Sequence, residues 1–213
     1  MRGLLLAFVL LFLPVVAHGQ EPLVRLEEQV IISRTLSIDD AQTISAQGIA
    51  FLKRLEGFRP TAYRDAGGGY SIGYGFQKWQ GRRVTPSYPR RVTESQADAE
   101  LLRQLPLYEE IVRSHFTGFV EQHAFDALVS ITYNLGRVNS TIVAKIDTRR
   151  PVSVRDFVST AKARGRPHSE LFERRVREFL VFLGRYEDAY EPFENPSRTY
   201  RALLSQSARL SYK

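Results

Sequence analysis

Apolar residues recur at helical spacing between residues 40 and 56, next to a short polar cluster. The apolar positions 41, 44, 46, 49, 52 and 55 predict a helix from Asp40 to Glu56, with an N-cap offered by Ser37, Asp39 or Asp40. A glycine, Gly57, follows the last of these residues and predicts the end of the helix. The predicted helix therefore closes on an acidic side chain, Glu56.

The residue pattern changes between residues 60 and 89, where glycines and tyrosines are frequent and short runs alternate between polar and apolar residues. This pattern predicts a small sheet of hairpins with a turn at residues 67–69. Asp65 lies just before that turn. Because successive side chains of a strand point to opposite faces, we expect Ser71 to face away from its aromatic neighbours.

The rest of the pattern is helical. Residues 121–135 are apolar on nearly every side and end at Gly136, which predicts a central buried helix. A capping box of Thr93 with Gln96 predicts the start of another helix, whose buried stripe includes Leu101, Leu102 and Leu105. The predicted helices are Glu94–His115, Glu121–Leu135, Ser140–Ile146, Val152–Ala163, a helix capped by Ser169 and running to Leu183, and Arg198–Leu210. The pattern indicates an α+β fold, with a small β-hairpin lobe, a helical lobe and a cleft between them.

The first residues have the features of a secretory signal peptide. A short basic start at Arg2 precedes an apolar run from Leu4 to Val16, and Ala17 and Gly19 are small residues at cleavage-site positions. The run is shorter than the ~20 apolar residues of a spanning helix. An uncleaved anchor is the alternative. We predict a signal peptide at residues 1–19, an arm at 20–39, a catalytic domain at 40–184 and a C-terminal extension at 185–213.

Composition and charge exclude several kinds of active site and limit the possible partners. The chain has no cysteine, which excludes disulfides and thiolate chemistry, and its four histidines form no H-E-x-x-H motif. Net charge is +7, and loss of Arg2 with the signal peptide leaves +6, which suits an anionic envelope polymer. Predicted export argues against a nucleic-acid partner and, once the signal is cleaved, against a stable membrane anchor. Arg174, Arg175 and Arg177 form a basic run, of which we expect at least one member to be solvated.

Two motifs carry candidate active-site residues. The segment Gly69–Gly73 matches the G-x-S-x-G nucleophile elbow, but an elbow needs a preceding buried strand and a following helix, and the pattern predicts neither. Glu56 and Asp65 are two carboxyl groups in contrasting surroundings, one closing an apolar helix and the other in a polar loop. Glycoside hydrolysis requires such a pair, one acid for the leaving oxygen and one carboxylate for water or the sugar.

The residues around this pair resemble a known family. Glu56-Gly57, then Ala62-Tyr-Arg-Asp65 and Gly69-Tyr-Ser71-Ile-Gly-Tyr-Gly75, are similar to the signature of the phage-type lysozymes, glycoside hydrolase family 24. The likeness continues in two segments of the helical part, Ala127–Gly136 and Leu171–Glu178. Ser71 stands where the family usually has threonine, and Phe76 stands where it commonly has histidine.

This resemblance implies an exported enzyme that hydrolyses the β-1,4 bond between N-acetylmuramic acid and N-acetylglucosamine in peptidoglycan, in the periplasm or outside the cell. It implies Glu56 as general acid, Asp65 with Ser71 positioning water, and Tyr133 and Asn134 as substrate-binding residues. No cofactor and no metal are expected. The alternative hypothesis is a catalytically weak or inactive scaffold of the same fold that binds peptidoglycan, motivated by Ser71, Phe76 and the terminal segments.

Overall fold

The computed structural model describes residues 41–65, 68–116, 118, 120–163 and 165–208. The contacts divide the chain at residue 41, and the elements below all belong to the unit that begins at Gln42. The helices are α1 Ala46–Glu56, α2 Glu94–Arg113, α3 Gln122–Leu135, α4 Ser140–Asp147, α5 Val154–Val158, α6 Ser169–Phe182, α7 Tyr186–Tyr190 and α8 Pro196–Leu203. The strands are β1 Arg59–Arg64, β2 Tyr70–Gly73, β3 Lys78–Trp79, β4 Arg82–Arg83, β5 Val152–Ser153, β6 Lys162–Ala163, β7 Arg166–Pro167 and β8 Ser207–Ala208.

Helix α1 begins later than the sequence predicts. Its N-cap is Ser45, whose hydroxyl accepts a hydrogen bond from the Gly48 amide, so residues 41–45 are not helical. The buried carboxylate of Asp126, on α3, accepts bonds from both the amide and the hydroxyl of Ser45. This long-range anchor favours extended backbone at Ser45 over another turn of helix. The C-terminal end is as predicted, with Gly57 at φ 66° immediately after Glu56.

The small lobe is built from two antiparallel hairpins, as predicted. Strands β1 and β2 pair so that Tyr63 lies opposite Ser71 and Arg64 opposite Tyr70, and the connecting turn starts at Asp65. Strands β3 and β4 form the second hairpin. The lobe therefore presents Asp65 and Ser71 side by side, close after the end of α1.

The helical lobe is organised around α3. Its residues 124–132 are all buried, and it packs against α1, α2 and α6. The predicted capping box of Thr93 with Gln96 is present at the start of α2. Leu102 was expected in the buried stripe of α2, but the structure shows it 55% exposed. Fold class and the central helix thus agree with the sequence pattern.

Three further predictions are wrong. Residues 152–163 form a short strand, the brief helix α5 and one strand of the β6–β7 hairpin, where one helix was expected. Ser169 is the first residue of α6 rather than its cap, which is His168. Residues 186–190 form an additional helix, and the last helix, Pro196–Leu203, starts and ends before the predicted bounds. The two ends of the segment 152–163 are taken into strand pairs, and α5, α7 and α8 all pack against α6.

The predicted signal peptide and arm lie outside the described residues, as does the end of the predicted extension. Among the helices that the structure describes, none is both long and apolar enough to span a membrane. The predicted domain boundaries stay predictions.

Candidate active site

Glu56 is held at the end of α1 against a buried cation. The Arg174 Nη2 atom of α6 lies 2.7 Å from the Glu56 Oε1 atom, and the two side chains are only 14% and 10% exposed. Neither atom makes a well-directed hydrogen bond, so the contact is an ion pair in character. Burial acts to lower the pKa of the Arg174 guanidinium, but the carboxylates of Glu56 and Glu178 outweigh it and raise that pKa overall. Arg174 therefore remains charged beside Glu56.

Asp65 is fixed by three hydrogen bonds from its own lobe. Its Oδ1 atom accepts from the Gly69 amide at 2.9 Å, and its Oδ2 atom accepts from Ser71 Oγ and from Gln77 Nε2, both at 3.0 Å. Three donors spread the negative charge of a carboxylate and favour its ionised form. Because Ser71 donates its proton to Asp65, the lone pairs of its hydroxyl oxygen remain available to accept a hydrogen bond from a water molecule.

The neighbouring residues Phe76 and Gln77 have different roles, one in the core and one beside Asp65. Phe76 is buried in the core, where its ring packs edge-on against Tyr74 and near Trp79. The next residue, Gln77, is exposed and supplies the polar contact to Asp65. Sequence analysis missed Gln77, because nothing in its immediate neighbourhood marks an exposed glutamine as a partner of Asp65.

Three phenols border Glu56. Burial is the main cause that raises the pKa of Tyr63, Tyr108 and Tyr133, and the negative charge of Glu56 raises each of them further. The negative charge of Asp65 also raises the pKa of Tyr63, whereas the Arg59 guanidinium, 4.4 Å from the Tyr63 ring centroid, and the nearby Ser71 hydroxyl lower it. Tyr63 therefore connects the surroundings of the two acids, and its place two residues before Asp65 was the signal available in the sequence.

The two predicted substrate-binding residues both make contacts within the protein. The Tyr133 hydroxyl donates to the carbonyl of Tyr74 at 2.9 Å, and its ring lies 4.8 Å from that of Tyr108. Asn134 is exposed, and its Oδ1 atom accepts from Arg175 Nη2 at 2.5 Å. The hydroxyl of Tyr133 thus joins the helical lobe to the small lobe, while Asn134 sits at the exposed end of a buried polar network.

That network lies under the site. Arg175 and Glu178 are fully buried, and Arg175 Nη1 lies 2.5 Å from Glu178 Oε2. Glu178 Oε1 accepts from Arg174 Nε at 3.0 Å and from Ser130 Oγ at 2.9 Å. The expectation that part of the Arg174–Arg177 run is solvated is wrong, because Arg177 also pairs with Glu173 and bonds two carbonyl groups.

Other chemistries find little support in this geometry. The Ser71 side chain lies on an antiparallel strand that is followed by Phe76 and a second hairpin, so its surroundings are not those of a nucleophile elbow. Among the residues that the structure describes, no group of three or more histidine, aspartate or glutamate side chains could hold a metal ion. What remains is one buried carboxyl group paired with a cation and one carboxylate fixed by donors.

The chain is similar to known proteins in both sequence and fold. A sequence profile described as phage lysozyme matches residues 53–178. The endolysin of Salmonella phage P22 is 31% identical over 66% of this chain and 97% of its own length, and the endolysin of Bacillus phage PZA is 30% identical over 65% of this chain and 54% of its own. Among solved structures, the endolysin of Escherichia coli O157:H7 phage FAHEc1 superposes with a TM-score of 0.61 at 26% identity, covering 71% of this chain and 98% of that one. The muramidase domain of SpmX from Asticaccaulis excentricus superposes with a TM-score of 0.53 at 28% identity, covering 67% and 98%.

Proposed function

Because this chain belongs to the phage lysozyme family and is a peptidoglycan-degrading glycoside hydrolase, we propose that it cleaves the β-1,4 bond between N-acetylmuramic acid and N-acetylglucosamine. The observation that carries this proposal is the unlike environment of its two acids. Glu56 is mostly buried beside Arg174, and Asp65 is held by three donors. That division of roles is the one that glycoside hydrolysis needs.

In the proposed reaction, the Glu56 carboxylate first takes up a proton from solvent. It then donates this proton to the glycosidic oxygen, and the bond from that oxygen to the muramic acid anomeric carbon breaks. Glu56 becomes a carboxylate as it loses the proton. Arg174, 2.7 Å away, stabilises the charge that develops there and needs no rearrangement to do so. The same contact holds the carboxyl group in place.

Asp65 and Ser71 are proposed to hold the attacking water. Asp65 accepts one proton of the water as the oxygen bonds to the anomeric carbon, and the Ser71 oxygen accepts a hydrogen bond from the other. A carboxylate that already accepts three hydrogen bonds is a poor nucleophile, which supports a water-mediated inverting step over a covalent intermediate. Tyr133 and Asn134 are proposed to contact the glycan beside this point.

Export completes the proposal. We propose that residues 1–19 are a cleaved signal peptide and that the enzyme acts in the periplasm or outside the cell. Peptidoglycan is found there, and the mature charge of +6 suits it. Mass spectrometry of the mature N-terminus distinguishes cleavage after Gly19 from an uncleaved anchor.

The test of the proposed bond is the identity of the new reducing ends. Purified peptidoglycan is digested, reduced with borohydride and hydrolysed, and muraminitol is expected to accumulate. Accumulation of glucosaminitol would place the cut at the other glycosidic bond. Binding to the wall without any new reducing ends would favour the alternative function, a non-catalytic scaffold. Proton NMR during early hydrolysis is expected to show the α-anomer first, as inversion requires.

Gln77 is proposed as a further positioning residue, because its side chain donates to Asp65. Replacing Gln77 by alanine removes one of the three donors to Asp65, and we expect kcat to fall roughly tenfold with KM nearly unchanged. Gln47→Ala is the matched control, because Gln47 is an exposed glutamine on α1. Equal kcat for wild type and Gln77→Ala, or an equal loss in the control, would remove Gln77 from the mechanism.

A further inference from the structure

The positive charge of the chain is concentrated in its small lobe. Residues 57–93 contain seven basic residues and one acid, Asp65, so this segment carries +6 of the total +7. The remaining residues of the chain contain 23 basic and 22 acidic side chains and are nearly balanced. The seven basic residues are Arg59, Arg64, Lys78, Arg82, Arg83, Arg90 and Arg91, and residues 57–93 are called the cationic lobe below.

All seven side chains are exposed, and none forms an ion pair with any acid in the part of the chain that the structure describes. In the helical lobe the cations are of two kinds. Arg103, Arg113 and Arg177 each pair with an acid three or four residues away on the same helix. Exposed cations such as Arg149 and Arg198 form no ion pair among the described residues, but acidic side chains of the same lobe nearly balance their charge. The net charge of the cationic lobe is therefore available to a partner.

The second hairpin places like charges together. Lys78 and Arg83 are directly opposite each other across the β3–β4 ladder, and both are exposed. Like charges in that relation destabilise a hairpin, since cross-strand neighbours lie within about 5 Å at their Cβ atoms. No acidic side chain in the ladder offsets the repulsion between these two cations. A polyanion bound to both of them would offset it.

Two contacts bring the basic segments of the lobe close together. The Arg82 guanidinium lies 4.1 Å from the Tyr88 ring centroid, which joins the second hairpin to the segment before Arg90 and Arg91. The Val92 amide donates to the Pro60 carbonyl at 2.9 Å, which places Arg91 beside the start of β1 and Arg59. Charge thus runs from the hairpin to the strand that leads into Asp65.

The composition of this surface selects its partner. Six of the seven cations are arginine, whose planar guanidinium binds phosphate oxygens in pairs. The large apolar side chains Phe76, Trp79, Val84 and Val92 of the lobe are buried, and the exposed large hydrophobic residues of the described chain, Leu102 and Leu107, both lie on α2. The cationic lobe therefore offers charge without an apolar side chain to insert into a bilayer.

We propose that the cationic lobe is a docking surface for a hydrated phosphodiester polymer of the cell envelope, separate from the glycan cleft. The contact is electrostatic, so each phosphate that is neutralised releases a bound counterion and affinity falls steeply with salt. Docking in this way concentrates the enzyme on walls that carry such a polymer. It does not depend on the proposed hydrolysis, because binding is measured without turnover.

The test compares two variants that lose the same charge. K78Q/R83Q/R90Q/R91Q removes four exposed cations of the lobe, and R149Q/R155Q/R198Q/R201Q removes four exposed cations of the helical lobe. Binding of each to poly(glycerol phosphate) is measured by titration over a range of NaCl concentrations. We expect the first variant to bind at least tenfold more weakly near ~0.1 M salt, with a log–log salt slope shallower by roughly 3. The second variant is expected to stay within twofold of wild type.

Three further measurements identify the class of partner. Wild type is expected to bind vesicles containing phosphatidylglycerol more weakly than the polymer, and stronger vesicle binding would overturn the proposal in favour of a membrane surface. An equal loss in both variants would overturn it in favour of nonspecific charge. On peptidoglycan stripped of phosphodiester polymer, K78Q/R83Q/R90Q/R91Q is expected to retain wild-type hydrolysis, because none of its four residues lies in the site. Failure of docking is thus distinguishable from failure of the proposed function.

Discussion

Replacing Glu56 by glutamine is expected to lower the rate of peptidoglycan hydrolysis by about 10²–10⁴-fold, the usual contribution of a general acid. Glutamine keeps the size and polarity of the side chain but has no proton to give to the glycosidic oxygen. Clearing of a cell-wall suspension measures the loss. Asp65→Asn is expected to lose activity as well, through the water that it positions.

The fold is expected to survive the Glu56→Gln substitution. Arg174 keeps its contact to Glu178, so its charge remains partnered and the fold is expected to persist, which thermal unfolding can verify. Glu94→Gln is the control, because Glu94 lies on the surface at the start of α2 with a side chain 61% exposed. Activity in Glu56→Gln comparable with this control would show that another group protonates the leaving oxygen.

Replacing Glu178 by glutamine is expected to destabilise the fold by about 3–5 kcal/mol, the usual cost of breaking a buried ion pair from one side. Glu178 is fully buried and bonds Arg174, Arg175 and Ser130. A neutral amide leaves the charge of Arg175 buried without a carboxylate. The NH₂ group of the new glutamine is also a hydrogen-bond donor, and it would face the groups that now donate to Glu178. For a chain of this size the expected loss in Tm is roughly 10 °C.

Glu173→Gln is the matched control on the same helix. Glu173 pairs with Arg177 at 2.7 Å, but its side chain is 38% exposed, so solvent screens the pair and the expected loss is below about 1 kcal/mol. Thermal and urea unfolding of both variants measure the difference. Similar losses for the two substitutions would mean that the buried network contributes no more than a surface pair.

Both substitutions remove a contact of Arg174, which links the proposed general acid to the buried network. Its Nη2 atom contacts Glu56 and its Nε atom contacts Glu178. A cation held from below by a buried carboxylate cannot readily follow the Glu56 side chain, so its position is set before substrate arrives. The buried network is therefore a support for the site as well as for the core.

The features that sequence predicted correctly are those encoded within a few residues. Gly57 after Glu56, the capping box of Thr93 with Gln96, and Gly136 at the end of α3 each act through backbone bonds to near neighbours. The same holds for the hairpin that brings Asp65 and Ser71 together, since a strand, a glycine turn and a strand suffice to define it.

Two of the wrong predictions arise where a distant residue competes with the local pattern. Asp126 draws Ser45 out of the helix that apolar spacing predicts, across 81 positions of sequence. The segment 152–163 reads as a helix because its apolar residues are suitably spaced. Its first two residues instead pair with residues 207–208 far along the chain, and its last two form a tight hairpin with residues 166–167.

By itself, then, the sequence determined the fold class and singled out the two candidate acids and the hydroxyl beside one of them. Local backbone preferences and short motifs carry that information. Only the tertiary structure decided the partners of those acids: Arg174 beside Glu56, Gln77 on Asp65, and Glu178 beneath both arginines. Burial of a charge is a property of the packed elements that surround it, and no stretch of sequence near Glu56 specifies a cation 118 positions away.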